Sequence, residues 1–195
     1  NLRESGDFSC TLHDSIGQLV AQTNTLPALA SLARTAVFEL QSKIDINDIS
    51  PGDIFFTNHM DIGGSHLSDV KAISPVFYNS KIVAWVANCA HWTDIGGAYP
   101  GGYVCATHLF QEGLIIPPVK LYNKGKIDQQ LVDFILNNVR GSEERLGDIR
   151  AQVASINRGI NRITEFINKY NLETINVFFV EYLNYVENLV KNEIK

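Results

Sequence analysis

Apolar residues recur at steps of three and four from Leu146 to Ile167, and this pattern constrains the fold more than any other feature of the sequence. The spacing places them on one side of an α-helix of about seven turns. Ser142 precedes two glutamates, which is typical of a helix N-terminus. A second periodic run from Ile175 to Leu189 predicts another helix, with Asn171 between the two. We expect a long antiparallel helical hairpin that packs within the chain or forms a coiled coil with another chain.

The composition changes near residue 125. Residues 1–125 contain 11 of the 14 glycines, all six prolines and all five histidines of the 195-residue chain. Alternating apolar runs in this part predict a hairpin over 8–21, a short buried strand over 53–57, and strands over 70–78 and 81–89. A helix is predicted over 26–42. We therefore expect an α+β fold: a strand- and loop-rich region, residues 1–125, that carries the chemistry, and a helical region, residues 126–195, packed on it.

Charge and composition exclude several classes of protein. With 16 basic and 21 acidic residues the net charge is −5, so neither nucleic acid nor a membrane surface is expected as a partner. The sequence has no apolar run of about 18 residues and no apolar signal core at its start. Its three cysteines form no CxxC pair, which argues against a disulfide framework and favours the cytoplasm. Because no Met precedes Asn1, we expect a processed chain or a piece of a longer one.

Histidines and carboxylates occur in pairs in the turn-rich part. These pairs are His66 with Asp69, His91 with Asp94, and His108 with Glu112. The first two follow predicted strands on glycine-supported loops, where side chains can point into a cleft. Imidazole and carboxylate together suit Zn²⁺, Mn²⁺ or Fe²⁺. Taken singly, each histidine is more often a surface or hydrogen-bonded residue, so both interpretations stay open at this point.

Other catalytic motifs are absent from the sequence. It contains no GxxxxGK[ST] phosphate-binding loop and no GxSxG nucleophile motif. The Gly96-Gly97 and Gly101-Gly102 pairs either bind an anion through backbone N–H groups or simply permit tight turns.

Longer motifs carry a family resemblance. They include GGSHLSD at 63–69, AHWTDIGG at 90–97 and QEGLIIPP at 111–118, with shorter matching segments at 1–4, 7–10, 17–22, 51–53, 138–140 and 144–152. In this order and register the chain resembles the N-terminal part of the hydantoinase B/oxoprolinase family. This family comprises the B-type subunits of ATP-dependent hydantoinases, 5-oxoprolinases, and acetone and acetophenone carboxylases.

The resemblance implies a two-part enzyme. An A-type subunit would bind ATP with Mg²⁺ and phosphorylate a carbonyl oxygen of a small substrate. The B-type subunit would carry a divalent metal, Zn or Mn, and either open a cyclic amide such as hydantoin or 5-oxoproline, or carboxylate a ketone such as acetone or acetophenone. Because B-type subunits are much longer than this chain, the resemblance also implies that the remaining B-type segment lies on another chain.

Position by position, the resemblance assigns the site residues. The implied metal ligands are Asp7, His66, His91, Asp94 and His108. His91 is also a candidate acid–base residue, and Glu112 is a second catalytic candidate. The chain departs from the family at His59-Met60, Trp92 and His108, where relatives often have Asp-Pro, His and Glu. These departures motivate an alternative, a non-catalytic assembly subunit of the same complex, and the Trp slightly favours the carboxylases.

Overall fold

A seven-stranded antiparallel sheet forms the centre of the fold. The computed structural model describes residues 6–101 and 105–194, so the predicted motif at 1–4 and Gly102 lie outside the described residues. The strands are β1 (Phe8–Asp14), β2 (Leu19–Gln22), β3 (Ile54–Thr57), β4 (Asp69–Tyr78), β5 (Lys81–His91), β6 (Val119–Asn123) and β7 (Lys126–Ile127). Their order across the sheet is β2-β1-β5-β4-β3-β6-β7. The longest strands, β4 and β5, are therefore central.

Two predicted hairpins are present in the sheet. The β1–β2 pair encloses the turn around Gly17, and β4 and β5 are joined at Asn79-Ser80. Both Asn79 and Ser80 have positive φ values, 49° and 62°, which is the geometry of the two-residue turn that matches the twist of a hairpin.

Five α-helices and one 3-10 helix, Ile46–Asp48, complete the described fold. The α-helices are numbered in chain order. They are α1 (Pro27–Lys43), α2 (Leu109–Glu112), α3 (Gln129–Asn137), α4 (Ser142–Tyr170) and α5 (Leu172–Glu193). The α+β class and the two long helices after the sheet confirm the fold prediction. The proposed division at residue 125 falls in the turn between β6 and β7, and the domain assignment stays a prediction.

The two faces of the sheet are covered by different helices. On one face, α1 contributes Leu29, Val37 and Leu40 to a core with Trp85 and Ile73 of the central strands. On the other face, the apolar stripe of α4 packs on alternate residues of β4 and β5. Successive residues of β4 and β5 therefore point to different helices, which decides on which face each polar residue lies.

The helix α5 is buried only near its start. Ile175 and Phe179 are buried against the sheet and α4, and Leu172 and Leu183 are partly covered. From residue 184 to residue 194 every residue is exposed. Within the described part of the chain, no helix is long and apolar enough to cross a membrane.

Candidate functional site

Strand register places two carboxyl side chains and one imidazole in a row across three neighbouring strands. Asp69, the first residue of β4, pairs with His91, the last residue of β5. Phe8 of β1 pairs with Ala90, so Asp7 lies beside His91. The backbone N–H of His91 donates to the backbone carbonyl of Asp7 at 3.0 Å. The row lies on the α1 face, at the edge where β1 and β4 begin and β5 ends. We call Asp7, His66, Asp69 and His91 the strand-end cluster.

Asp69 is the buried centre of the strand-end cluster, with 1% of its surface exposed. Its Oδ1 lies 2.7 Å from Nδ1 of His91. Its Oδ2 accepts hydrogen bonds from Ser65 Oγ at 2.5 Å and from the backbone N–H of His66 at 3.3 Å. Burial raises the pKa of this carboxyl, but the hydrogen bonds from His91, Ser65 and His66 outweigh burial and lower the pKa below 3.8. Asp69 is therefore held as a carboxylate.

His91 is partly exposed. Its hydrogen bond to Asp69 raises its pKa above 6.5; burial opposes this shift, and the negative charges of Asp69 and Asp7 reinforce it. The hydrogen bond at Nδ1 fixes the plane of the ring and directs Nε2 away from Asp69. The His66 ring lies edge-on to the His91 ring, with the centroids 6.1 Å apart. Two imidazoles and a carboxylate thus meet at one edge of the sheet.

A buried lysine lies beside the cluster. Lys71 follows Asp69 on the same face of β4, is fully buried, and donates from Nζ to the Gly63 carbonyl at 3.0 Å. Burial lowers the pKa of Lys71, and the negative charge of Asp69 opposes that shift. Through this hydrogen bond Lys71 fixes the loop that carries His66.

Asp94, predicted as a metal ligand, is bound in a different network. Its Oδ1 accepts from the N–H groups of Gly96 at 2.7 Å and Arg140 at 3.0 Å. Its Oδ2 accepts from the N–H of Gly101 at 3.2 Å and from Arg140 Nη1 at 3.1 Å. Burial raises the pKa of Asp94, but these donors outweigh burial and lower it. The carboxylate closes the 94–101 loop onto the segment that follows α3.

The other two predicted residues, His108 and Glu112, lie at the two ends of the short helix α2. His108 is exposed and precedes the helix, and Glu112 is half-buried at its end. The backbone of Glu112 packs against Gly97, where a Cβ would lie 2.6 Å from the Glu112 carbonyl oxygen. Gly97 therefore serves close packing of two loops, as does Gly96, whose Cβ would lie 2.4 Å from the Asn138 carbonyl oxygen.

The side chains of the strand-end cluster are of the kinds that bind divalent metals, but their present arrangement does not form a metal site. Within residues 6–101 and 105–194, no group of three His, Cys, Asp or Glu side chains is arranged to hold a metal ion. Asp69 and His91 are hydrogen-bonded to each other, so a metal bound by both would replace that hydrogen bond. The two-imidazole, one-carboxylate donor set itself is one that Zn²⁺, Mn²⁺ and Fe²⁺ accept.

Sequence reasoning does not assign Lys71 to the site, and it offers Asp69 as a candidate without its main partner. Spacing connects Asp69 only with His66, whereas its main partner is His91, 22 positions later. Lys71 interrupts the apolar alternation of β4, and a lysine inside a buried strand is a signal that the sequence already offers.

The sequence profile of the Hydantoinase B/oxoprolinase family matches residues 1–195 of this chain. The chain belongs to the hydantoinase B/oxoprolinase family. The match covers the strand-end cluster and both long helices, and it confirms the resemblance drawn from the motifs.

Similar proteins include an uncharacterised protein of Methanocaldococcus jannaschii, MJ0963, 38% identical over the whole of this chain and 35% of its own length. A Pseudomonas protein named as the B-type component of a D-/L-hydantoinase is 33% identical over the whole chain and 34% of its length. The crystal structure of an ATP-dependent caprolactamase from Pseudomonas jessenii superimposes with a TM-score of 0.80 at 29% identity, covering 91% of this chain and 31% of that chain. This chain thus spans about a third of the length of these relatives.

Proposed function

We propose that this chain is the metal-bearing part of a B-type subunit in an ATP-dependent multisubunit enzyme that acts on a small carbonyl compound. The observation that carries the proposal is the hydrogen bond between the buried Asp69 and the partly exposed His91, with the His66 ring and Asp7 beside them, in a chain of this family. Perturbed pKa values at a strand-end cluster are typical of functional sites.

His66, Asp69 and His91 would hold the divalent metal, Zn or Mn. When bound, such an ion polarises an oxygen of the substrate or activates water or bicarbonate. Without the metal, Asp69 orients the His91 ring through their hydrogen bond, which raises the pKa of His91 and suits it to an acid–base role. A metal bound by both side chains would replace this hydrogen bond and that role. Ligation by Asp94 and His108 and catalysis by Glu112 remain predictions, and the cluster is favoured because its residues contact one another.

In this proposal, carbonyl activation takes place on the A-type partner, which binds ATP and Mg²⁺. The names of the hydantoinase and caprolactamase relatives favour the opening of a cyclic amide. Carboxylation of a ketone is the other branch. We place the enzyme in the cytoplasm, since Cys10, Cys89 and Cys105 are free thiols, as a reducing compartment requires.

A non-catalytic assembly subunit is the second candidate function. The specific observation in its favour is that both Asp69 oxygens already accept hydrogen bonds from protein groups. An assembly subunit would keep these contacts for stability and would bind no metal.

Metal analysis of the complex purified through a tag on this chain separates the two functions. We expect near-stoichiometric Zn or Mn in the wild type and its loss in Asp69→Asn. Asp61→Asn is the matched control, because the Asp61 side chain is 73% exposed on the same loop. Asp94→Asn tests the predicted ligation by Asp94, and we expect it to retain the metal. Absence of metal from the wild-type complex would leave the assembly subunit as the function.

The reaction branch is tested on the same complex by ATP hydrolysis. Stimulation by hydantoin, 5-oxoproline or caprolactam identifies the amide branch, and stimulation by acetone with bicarbonate identifies the carboxylase branch. ATP hydrolysis that no carbonyl compound stimulates would contradict the proposed substrate class.

A further inference from the structure

From Phe178 onward, α5 presents an apolar stripe that the described structure leaves uncovered. The stripe consists of Phe178, Tyr182, Tyr185, Val186, Leu189 and Val190, each between 37% and 60% exposed. Their spacing places them on one side of the helix. Monomeric soluble proteins rarely expose contiguous apolar patches of this kind, and such patches mark interaction surfaces.

The stripe continues a face of α5 that is buried nearer the N-terminus of the helix. Ile175 and Phe179 lie on this face and pack into the core at 8% and 5% exposure. Four residues after Phe179 the helix leaves the body of the protein, although the apolar pattern runs on for two more turns. A surface-exposed helix segment would place polar residues there, so the pattern indicates a missing neighbour.

A groove of about 620 Å³ adjoins the stripe, between the start of α5, the end of α4 and the β1–β2 hairpin. Phe178 and Tyr182, whose rings stack at 5.7 Å, belong to both the stripe and the groove. Leu12, Val20 and Phe166 form the far walls. Groove and stripe therefore make one apolar surface, which we call the α5 surface.

We propose that the α5 surface is the docking site for the part of a B-type subunit that this chain does not contain. The whole chain matches its relatives but spans only 35% and 34% of two of them, so about two thirds of a B-type protein is left to pack against this region. The inference rests on family membership and does not depend on a metal at the strand-end cluster.

Charge argues against two other occupants. The helix carries four glutamates and one lysine, so a second copy of α5 would bring like charges together. An amphipathic helix that binds anionic lipid is rich in lysine and arginine on its polar face, whereas this helix has one lysine against four glutamates. A different polypeptide with its own apolar face fits the α5 surface better.

Co-expression tests the proposal. The tagged chain is produced together with the part of the M. jannaschii relative that lies outside the matched segment, and the retained amount is measured after purification. We expect retention by the wild type and at least a tenfold loss in Val186→Glu/Leu189→Glu, since buried apolar anchors dominate such interfaces. The matched control is Asn184→Glu/Asn188→Glu, which adds the same charge on the opposite side of the same helix and should retain the segment. Circular dichroism checks that the helices persist.

Three results would overturn the proposal. The wild type could fail to retain the segment, or the Val186→Glu/Leu189→Glu variant could retain it as well as the wild type. The third is a wild-type dimer in sedimentation velocity that only Val186→Glu/Leu189→Glu converts to a monomer, which would assign the α5 surface to a second copy of this chain.

Discussion

At the scale of single residues, the hydrogen bond between Asp69 and His91 makes the stability of the fold depend on pH. Each side chain holds the other in its ionised form, because one pKa is lowered and the other is raised. The His91 contribution to stability is fully present below pH 6.5 and is lost as pH rises through the higher pKa of the folded state. The Asp69 contribution is present above pH 3.8 and is lost as pH falls through its lower pKa. The pair therefore stabilises the fold most in the mildly acidic range between these limits.

Asp69→Asn removes the negative partner of this pair and should lower the pKa of His91. We also expect the free energy of unfolding to fall by about 1–3 kcal/mol near pH 6, and by less above the wild-type pKa of His91. Titration of the imidazole by NMR and urea unfolding at several pH values measure the two effects. Asp61→Asn, on the same loop, should change neither; a His91 pKa that is the same in Asp69→Asn and wild type would contradict the assigned hydrogen bond.

Individual residues also show where sequence reasoning ends. The spacing of the histidines and aspartates marks them as chemically important, but their partners are set by sheet register and loop closure. Asp69 meets His91 across two strands, and Asp94 meets Arg140, 46 positions away. Short-range spacing such as His91 to Asp94 carries no information about such contacts, so the sequence suggests the residue types of the site but not its pairing.

At the scale of elements, prediction succeeds best where the pattern is local. The α4 stripe is buried at Ile149, Val153, Ile156, Ile163 and Ile167, as the spacing predicts. The β4–β5 hairpin follows from a two-residue turn between apolar runs. Strands β6 and β7 are short and partly exposed, and they lack such a pattern. The pairing of β6 with β3 depends on contacts between residues far apart in sequence.

Two glycines of α4 offer a matched test of how this helix packs on the sheet. A Cβ at Gly159 would lie 2.6 Å from Cγ1 of Val86 in β5, whereas a Cβ at Gly147 would meet nothing within 4 Å. We expect Gly159→Ala to destabilise the fold by about 1–3 kcal/mol through overpacking. Gly147→Ala should stabilise it by about 0.5–1 kcal/mol, because alanine loses less backbone entropy in a helix. Urea unfolding measures both, and equal effects of the two substitutions would show that α4 does not approach β5 at Gly159.

At the scale of the whole molecule, the described residues form a core that this chain covers by itself, whereas the α5 surface is left uncovered. The sheet has α1 on one face and α4 on the other, so its central strands are covered by this chain alone. The strand-end cluster lies at an edge of this sheet, and the α5 surface adjoins the β1–β2 hairpin. Stability of the chain and assembly with the rest of a B-type subunit should therefore be separable.

Two truncations test that separation. In a chain that ends at Leu183, the described residues lost, 184–194, are all exposed, so its free energy of unfolding should stay within about 1 kcal/mol of the full chain. A chain that ends at Asn171 also loses Ile175 and Phe179, and the lost apolar burial should cost about 3–6 kcal/mol. Urea unfolding gives both values.

If the α5 surface docks the missing segment, the chain that ends at Leu183 should fold normally and yet fail to retain that segment in co-expression. Retention by this shorter chain would show that the residues after Leu183 are not part of the docking site, and a large loss of stability would show that they pack on the core.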